Sequence, residues 1–480
     1  MRPVVARIAR LCDDIGPLLA ADGQDTVAAV RAGLSEPLRL AVVGRVKAGK
    51  STLVNALVKR RIAPTAVGEC TRTVTWYRYG APERAEVELR DGSRRDLPWR
   101  GGRLPDSLGV PAEQVARVVV YLQAAALRDQ TVIDTPGLAT LTSANEAATR
   151  AEVFGAGAAP DDAEQVSRYA AGQAEALLFV FREAERKDEI EFLTQFRAAT
   201  GEIGASAVNA VGVLSQSDQF TGTDPFEVAD GRAAQLAAAR AADVSAVVAA
   251  SGLLAQAART GRLGEGEARL LAGIADVPES LLRLRRTRPL PGTDPAELDR
   301  LFGLLGVHGV HQGRHRSARG AHELVQWLES VSGVAKVEDL VRRSLLSRAH
   351  ALKAMRALRV LTDAANRTGL DTGAALGLIE QARLDPALHP VRELRALRHL
   401  VAEAPVSPLR AELERVSADT TDQVRVGLPA SATPDDVATA ARRCAAAAQE
   451  QAAFAPMPAE AEAGRVLARS YQLIAQRARP

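Results

Sequence analysis

Eight residues, Gly44-Arg45-Val46-Lys47-Ala48-Gly49-Lys50-Ser51, carry the most specific chemistry in this chain. Glycines and a Lys-Ser pair at this spacing form a phosphate-binding loop. Backbone N–H groups wrap the phosphates, the lysine reaches the terminal ones, and the serine hydroxyl is a Mg²⁺ ligand. Such a loop needs a strand before it and a helix behind it. Residues 38–43, apolar except for Arg39, supply the strand, and Leu53, Val54 and Leu57 fall on one face of a following helix. The helix also turns its positive N-terminus toward the anion. Gly44, Arg45, Val46, Ala48, Gly49, Lys50, Ser51 and Thr52 are the expected phosphate-site residues.

Three further points of chemistry follow strands. Asp134-Thr135-Pro136-Gly137 comes directly after the apolar run 131–133. There Asp134 suits a Mg²⁺-bound water, and the Gly137 N–H suits a γ-phosphate. Ser215-Gln216-Ser217-Asp218 follows the strand expected at 208–214, and Ser251 follows the one at 244–250. Ligands of parallel sheets bind at the carboxyl ends of strands, and all these residues fall there.

The positioning elements are an α/β arrangement. Strands are expected at 38–43, 73–79, 85–89, 115–122, 131–133, 176–181, 208–214 and 244–250, the second and third paired across the turn at Gly80-Ala81-Pro82. Their alternation with helices predicts a doubly wound, mostly parallel sheet. Ahead of it, helices are expected at 4–19 and 24–33, divided by the Asp22-Gly23 turn signal. Residues 138–165 read as a loop containing a helix, and 287–295, with three prolines, as a linker. The rest is helical: an apolar segment at 298–310, one long helix at 336–366, a return at 374–402 interrupted at Pro386 and Pro390, then 409–424, 434–454 and 460–478. Apolar stripes on these helices predict an antiparallel bundle. The expected division is 1–35 packing with the bundle, 36–333 as the nucleotide domain, and 334–480 as the bundle.

At 480 residues and 47% hydrophobic content the chain can build more than one core. A net charge of +3 argues against a nucleic-acid binder. Three scattered cysteines fit a reduced compartment. The start reads as an amphipathic helix and not a signal peptide, and no apolar run is long enough to cross a bilayer. A cytoplasmic protein with at most peripheral membrane contact is expected.

Together, the phosphate loop, Pro64-Thr65, Cys70-Thr71-Arg72 and the Asp134 loop resemble those of bacterial dynamin-like GTPases, in particular the isoniazid-inducible dynamin-like proteins of mycobacteria. Residues 37–80 carry the similarity most strongly. Leu301-Phe302-Gly303-Leu304-Leu305-Gly306 and Ser332-Gly333-Val334 extend it. The resemblance implies an α/β P-loop GTPase domain joined to a helical bundle, with GTP and GDP as substrate and product and Mg²⁺ as cofactor. It implies that Lys50 and Thr71 serve catalysis, with Thr73 the nearby alternative to Thr71, and that Ser51, Thr71 and Asp134 hold the metal. Ser215, Asp218 and Ser251 would lie at the base, Asp218 accepting from the guanine N1 and amino groups. Two departures stand out. Gln216 replaces the usual base-stacking lysine, and Val46-Lys47 replaces a Gln-Ser pair. Lys47 is a candidate for compensating charge in hydrolysis, against the alternative that it simply faces solvent.

The resemblance further implies dimerisation through GTPase domains or assembly with another dynamin-like protein. Bundle movement would then act on the inner face of the plasma membrane. The alternative is a GTP-switched interaction protein without membrane activity of its own. An ATPase or kinase is disfavoured by Asp218.

Other features have plainer readings. His308, His311, His315 and His322 are spaced as on a helix, and a polar face is preferred to a zinc site. Cys70 reads as a small half-buried residue. Arg342, Arg343, Arg348, Lys353, Arg356 and Arg359 are a solvated face or a surface for anionic lipid. Residues 368–378 and Val426-Gly427-Leu428-Pro429 are two candidate membrane tips.

Overall fold

A computed structural model describes residues 2–45, 47–62, 73–99, 114–135, 173–182, 208–222, 224–283 and 293–478, with Ser206 and short pieces between 102 and 111. Val46, Cys70, Thr71, Gly137 and the segment 138–165 lie outside these residues.

Nine described strands form one sheet: β1 (Leu38–Gly44), β2 (Thr75–Tyr79), β3 (Arg84–Leu89), β4 (Arg94–Leu97), β5 (Val115–Leu122), β6 (Gln130–Asp134), β7 (Ala176–Phe181), β8 (Ala210–Ser215) and β9 (Val247–Ala250). Their order is β4-β3-β5-β2-β6-β1-β7-β8-β9. From β6 to β9 the neighbours are parallel, in the mostly parallel pattern expected. The expected β2–β3 hairpin does not form. Parallel β5 and antiparallel β6 take both edges of β2, and β3 pairs antiparallel with β5 and β4. Adjacency in sequence gave the wrong partner because β5 inserts between the two strands.

Buried on both faces, β1 sends alternate residues to two cores. Leu38, Leu40 and Val42 pack toward α3 (Lys50–Val58), the helix behind the phosphate loop. Ala41 and Val43 join Phe179, Phe181 and Leu214 against α4 (Pro225–Ala239). Beyond β9 come α5 (Gly252–Arg259), α6 (Glu265–Gly273), α7 (Glu279–Arg283), α8 (Pro295–Arg316) and α9 (Ala321–Val331). Leu254, Leu271, Leu301, Leu305 and Leu328 unite them in a separate core. Inside α8, Gly306 (φ 69°, ψ 179°) makes a kink.

The expected single helix 336–366 is broken. α10 (Val334–Ser344) is followed by a 3₁₀ turn at Leu346–Arg348 and then α11 (Ala349–Thr368). Arg348 (φ −123°, ψ 11°) leaves helical geometry, and its guanidinium turns inward to donate to the Glu414 carbonyl at 3.0 Å. The break lets α10 lie under the sheet, with Val334, Val337 and Val341 in the core shared with Leu53.

The remaining helices are α12 (Thr372–Leu384), α13 (His389–Glu403), α14 (Leu409–Val416), α15 (Asp422–Arg425), α16 (Pro434–Ala453) and α17 (Pro458–Arg477). The interruption expected at Pro386 and Pro390 is present, as a 3₁₀ turn ahead of α13. Leu394, Leu397, Leu413, Ala441, Leu467 and Tyr471 continue the α10 core.

The two N-terminal helices, α1 (Pro3–Ile15) and α2 (Ala21–Gly33), bury Ile8, Leu11, Ile15 and Val27 against Leu361, Ala365 and Ile379 of α11 and α12. Asp22-Gly23 is no turn but part of the first turn of α2. Gly23 is needed there for close approach, since a Cβ would stand 2.1 Å from Thr368 Oγ1. Lys353 of α11 donates to the carbonyls of Gly33 and Glu36 at the entry to β1. Lys353 and Arg348 are therefore buried and do not extend the basic face expected along this helix. Of that face, Arg342 and Arg343 pair with Asp339, and Arg359 with Asp363. Leu370, at the α11–α12 turn, is exposed, while Val426 at the other candidate tip is buried.

Candidate nucleotide site

The carboxyl ends of β1, β6, β8 and β9 carry the chemistry. Register places Val42 beside Asp134, and Ser215 beside Ala250. Gly44 closes β1 at φ 152°, where an added Cβ would lie 2.5 Å from the Val180 carbonyl oxygen. Only glycine lets the chain leave the strand there. Gly49, left-handed at φ 90°, then starts α3.

Lys50 is 6% exposed, and its Nζ donates to the carbonyls of Gly44 (2.9 Å) and Arg45 (3.0 Å). Burial lowers its ammonium to about 8, against the attraction of Asp134. The Ser51 hydroxyl donates to Asp134 Oδ2 at 2.9 Å. Burial raises the Asp134 carboxyl to about 6, opposed by Lys50 and by the Ser51 hydrogen bond. Asp134 Oδ1 is buried and finds no partner among the described residues. A hydroxyl and an under-bonded carboxylate side by side are the hard oxygen donors that Mg²⁺ takes, directly or through water. Next to Asp134, Thr135 fixes the strand end by donating to the Val42 carbonyl at 2.8 Å. Thr75 pairs with Asp134 across the sheet, so β2 starts at the site with half-buried Thr73 just before it. Thr52, on the first turn of α3, is half-buried.

The β8 loop builds the second half. The Ser215 hydroxyl lies 2.7 Å from the Ala48 carbonyl oxygen and 2.8 Å from that of Phe181, tying the phosphate loop to the neighbouring strands. Gln216 adopts φ 57° and donates from Nε2 to the Lys47 carbonyl at 3.0 Å. The residue in the lysine's place is thus a strut for the phosphate loop. A Gln216→Ala protein is expected to bind nucleotide about three- to tenfold more weakly, near the 1 kcal/mol typical of one hydrogen bond. Fluorescence titration with a labelled nucleotide checks this, and unchanged affinity would remove the strut. Lys47 itself is exposed, with φ 62°.

Asp218 is 8% exposed. Its Oδ2 faces the α8 kink, where a Cβ on Gly306 would lie 3.4 Å away. His308, two residues on, packs edge-on against Phe226 at 5.0 Å. Its ring is pushed down by burial, against the attraction of Asp218 and Asp224. Sequence reasoning missed this wall. Only the glycines inside the apolar segment at 298–310 hinted at it.

The structure brings Lys50, Ser51, Asp134, Ser215 and Asp218 together, whereas Ser251 is turned away. Fully buried, its hydroxyl caps α5 by accepting from Leu254 N at 3.3 Å, while its own N–H donates to the Ser332 carbonyl at 2.8 Å. The histidines do not form one polar face either. His311 is buried beside Glu279 (3.2 Å), whereas His315 and His322 are exposed. Among the described residues no group of three or more His, Cys, Asp or Glu is placed to hold a metal ion.

With this geometry in view, residues 40–203 match the model of the dynamin family. The chain is similar to bacterial dynamin-like proteins. The family match runs from β1 past β7 of the nine-stranded sheet, and a large helical part adjoins that sheet. Over 304 residues the chain is 35% identical to isoniazid-induced protein IniC of Mycobacterium tuberculosis, covering 58% of this chain and 57% of that protein. A stretch of 54 residues is 41% identical to the bacterial dynamin-like protein of Nostoc punctiforme, 11% of this chain and 8% of that one. The chain thus spans a little over half the length of the mycobacterial relative. One solved chain, from an oligomerised bacterial dynamin pair described as sensing and tethering membranes, aligns over 98% of this chain and 90% of its own. Its identity is 12% and its TM-score 0.36.

Proposed function

We propose that this chain hydrolyses GTP with Mg²⁺ and uses the cycle to move its helical bundle. The observation that carries the reading is the placement of Lys50, the Ser51–Asp134 pair and Asp218 on one sheet edge. Ser51 and Asp134, with Thr71, would hold Mg²⁺, which supplies charge neutralisation at the β- and γ-phosphates. Lys50 would bind those phosphates, Gly137 the γ-phosphate, and Asp218 the guanine edge. Exposed Lys47 is the candidate for extra charge in the transition state.

Residues 36–333 would act as the nucleotide domain, and 1–35 with 334–480 as the bundle. One ion pair supports coupling between them: Arg259 of α5 pairs with Glu338 of α10 at 2.6 Å, while Arg259 to Glu329 and Ser251 N to the Ser332 carbonyl fix the last residues before α10. Nucleotide-dependent dimerisation, alone or with another dynamin-like protein, and remodelling of an anionic inner membrane surface complete the proposal. Among the described residues no helix is long and apolar enough to cross a membrane.

A pH profile of Mg²⁺-dependent phosphate release from GTP tests the assignment. With Lys50 at about 8 and Asp134 at about 6 in the free site, both groups are charged between those values. Above about 8 the free site has lost the Lys50 proton and must regain it to bind phosphate, so affinity falls as pH rises. Below about 6 Asp134 takes a proton, and metal-dependent turnover falls. The expected kcat/KM is a bell with its plateau between these limits. A profile flat from pH 5 to 9 contradicts the pairing, and phosphate release unaffected by a chelator contradicts the metal.

A further inference from the structure

A cavity of about 450 Å³ lies at the break between α10 and α11, far along the chain from every residue of the nucleotide site. That is the size of a small-molecule site. Three helix N-termini meet on it. Pro3 and Val4 begin α1, His350 and Ala351 lie in the first turn of α11, and His389 and Pro390 begin α13; all six line the cavity. These helices run 13, 20 and 15 residues, and none has a side-chain cap at its first turn. Their dipoles place positive potential at one point.

A buried cation stands at the same point. Arg348, 5% exposed, also lines the cavity and makes its hydrogen bonds to the carbonyls of Ser344 and Glu414. Its Nε finds no partner among the described residues. A guanidinium held only by carbonyls is an expensive group to bury, and its fork matches an oxyanion. Opposite, Glu393 is 1% exposed, with Oε1 taking Arg425 (3.0 Å) and Ser470 (2.7 Å) and Oε2 without a partner among the described residues. His389, brought down to about 4 by burial, is the neutral neighbour of Ser470 at 2.8 Å. At the rim Arg477 pairs with Asp422, and Arg2 with Asp419. A phosphate monoester suits this set. Its oxygens accept from Arg348 and the helix ends, its P–OH can donate to Glu393, and Pro386, Ala387 and Leu473 offer an apolar wall to its carbon part.

We infer that this cavity, built from three helix N-termini and Arg348, is a binding site for a small phosphate monoester, separate from the nucleotide site. Its place between α10 and α11 would let occupancy set the angle at which the bundle leaves the sheet.

The test is calorimetric titration of inorganic phosphate and glycerol 3-phosphate into the full chain, on a Lys50→Ala background so that phosphate-loop binding is not counted. Sodium chloride at matched ionic strength is the control. Binding is expected, at least tenfold weaker in Arg348→Gln and several-fold tighter in Glu393→Gln, which removes the opposing charge. If Arg348→Gln does not fold by circular dichroism, the exposed Arg477→Gln decides, with an expected loss of about threefold. A parallel arm uses vesicles of phosphatidylcholine with and without phosphatidic acid. Vesicle binding lost in the same variants, with no binding of glycerol 3-phosphate, assigns the monoester to a lipid headgroup. No binding beyond the chloride control in either arm, or equal affinity in wild type and in the deciding variant, overturns the proposal and leaves a water-filled cavity.

Discussion

A Lys50→Ala protein is expected to lose GTP and GDP affinity by about 100- to 1000-fold, or roughly 3–4 kcal/mol. The reason is electrostatic and local. Lys50 is the buried cation of the phosphate loop, and its ammonium already lies on the carbonyls of Gly44 and Arg45, within the curve that phosphates would fill. In so dry a place a charge on phosphate is worth more than on the surface. The fold should survive. The ammonium is held below its ordinary value by burial, so removing it relieves a desolvation cost, and Asp134, already raised to about 6, can take a proton. A melting temperature within a few degrees of wild type, with nucleotide binding lost, is the expected pair of results. Binding unchanged would mean that the loop is not the phosphate site.

The second large effect is expected from Asp218→Asn. A carboxylate accepts from both the N1–H and the exocyclic amino group of guanine, whereas an asparagine amide turns one of those contacts into donor against donor. A site built around hydrogen bonds rejects mismatched partners strongly, so GTP affinity should fall by roughly 100- to 10,000-fold. Xanthine carries an oxygen where guanine carries the amino group, so xanthosine triphosphate should regain much of the loss. Restoration by xanthosine triphosphate separates a base-reading role from misfolding. Asp218 sits against the kink at Gly306, so the variant keeps its volume where there is little room to move.

Much of the candidate site's geometry was legible because it is local. The phosphate loop needs a glycine where β1 meets Val180, and a lysine and serine six and seven residues on, and a sequence shows both. Asp134 and Asp218 were legible as polar residues closing apolar runs. What stayed hidden depended on distant partners. The β2–β3 pairing failed because register is set by the strand inserted between them, β5. The helix break at Leu345–Arg348 carries no proline or glycine; it accompanies a contact of the Arg348 guanidinium with a carbonyl 66 residues away, which local sequence cannot show. Gln216 looked like a weakened base contact, but its amide reaches Lys47 O across 169 residues. Ser251 was placed correctly on its strand end, yet whether its hydroxyl faces a base or caps a helix is decided by the turn of one dihedral. Gly23 shows the reverse error: a turn signal by type, used here for the closeness of Thr368.

The central claim is that the site on this sheet edge reads guanine. Displacement of a fluorescent GDP analogue by unlabelled GTP, GDP and ATP, in Mg²⁺ at pH 7, measures it directly. GTP and GDP should displace at concentrations at least a hundredfold below ATP. Displacement by ATP at the same concentration as GTP would contradict the role of Asp218 and, with it, the proposed function.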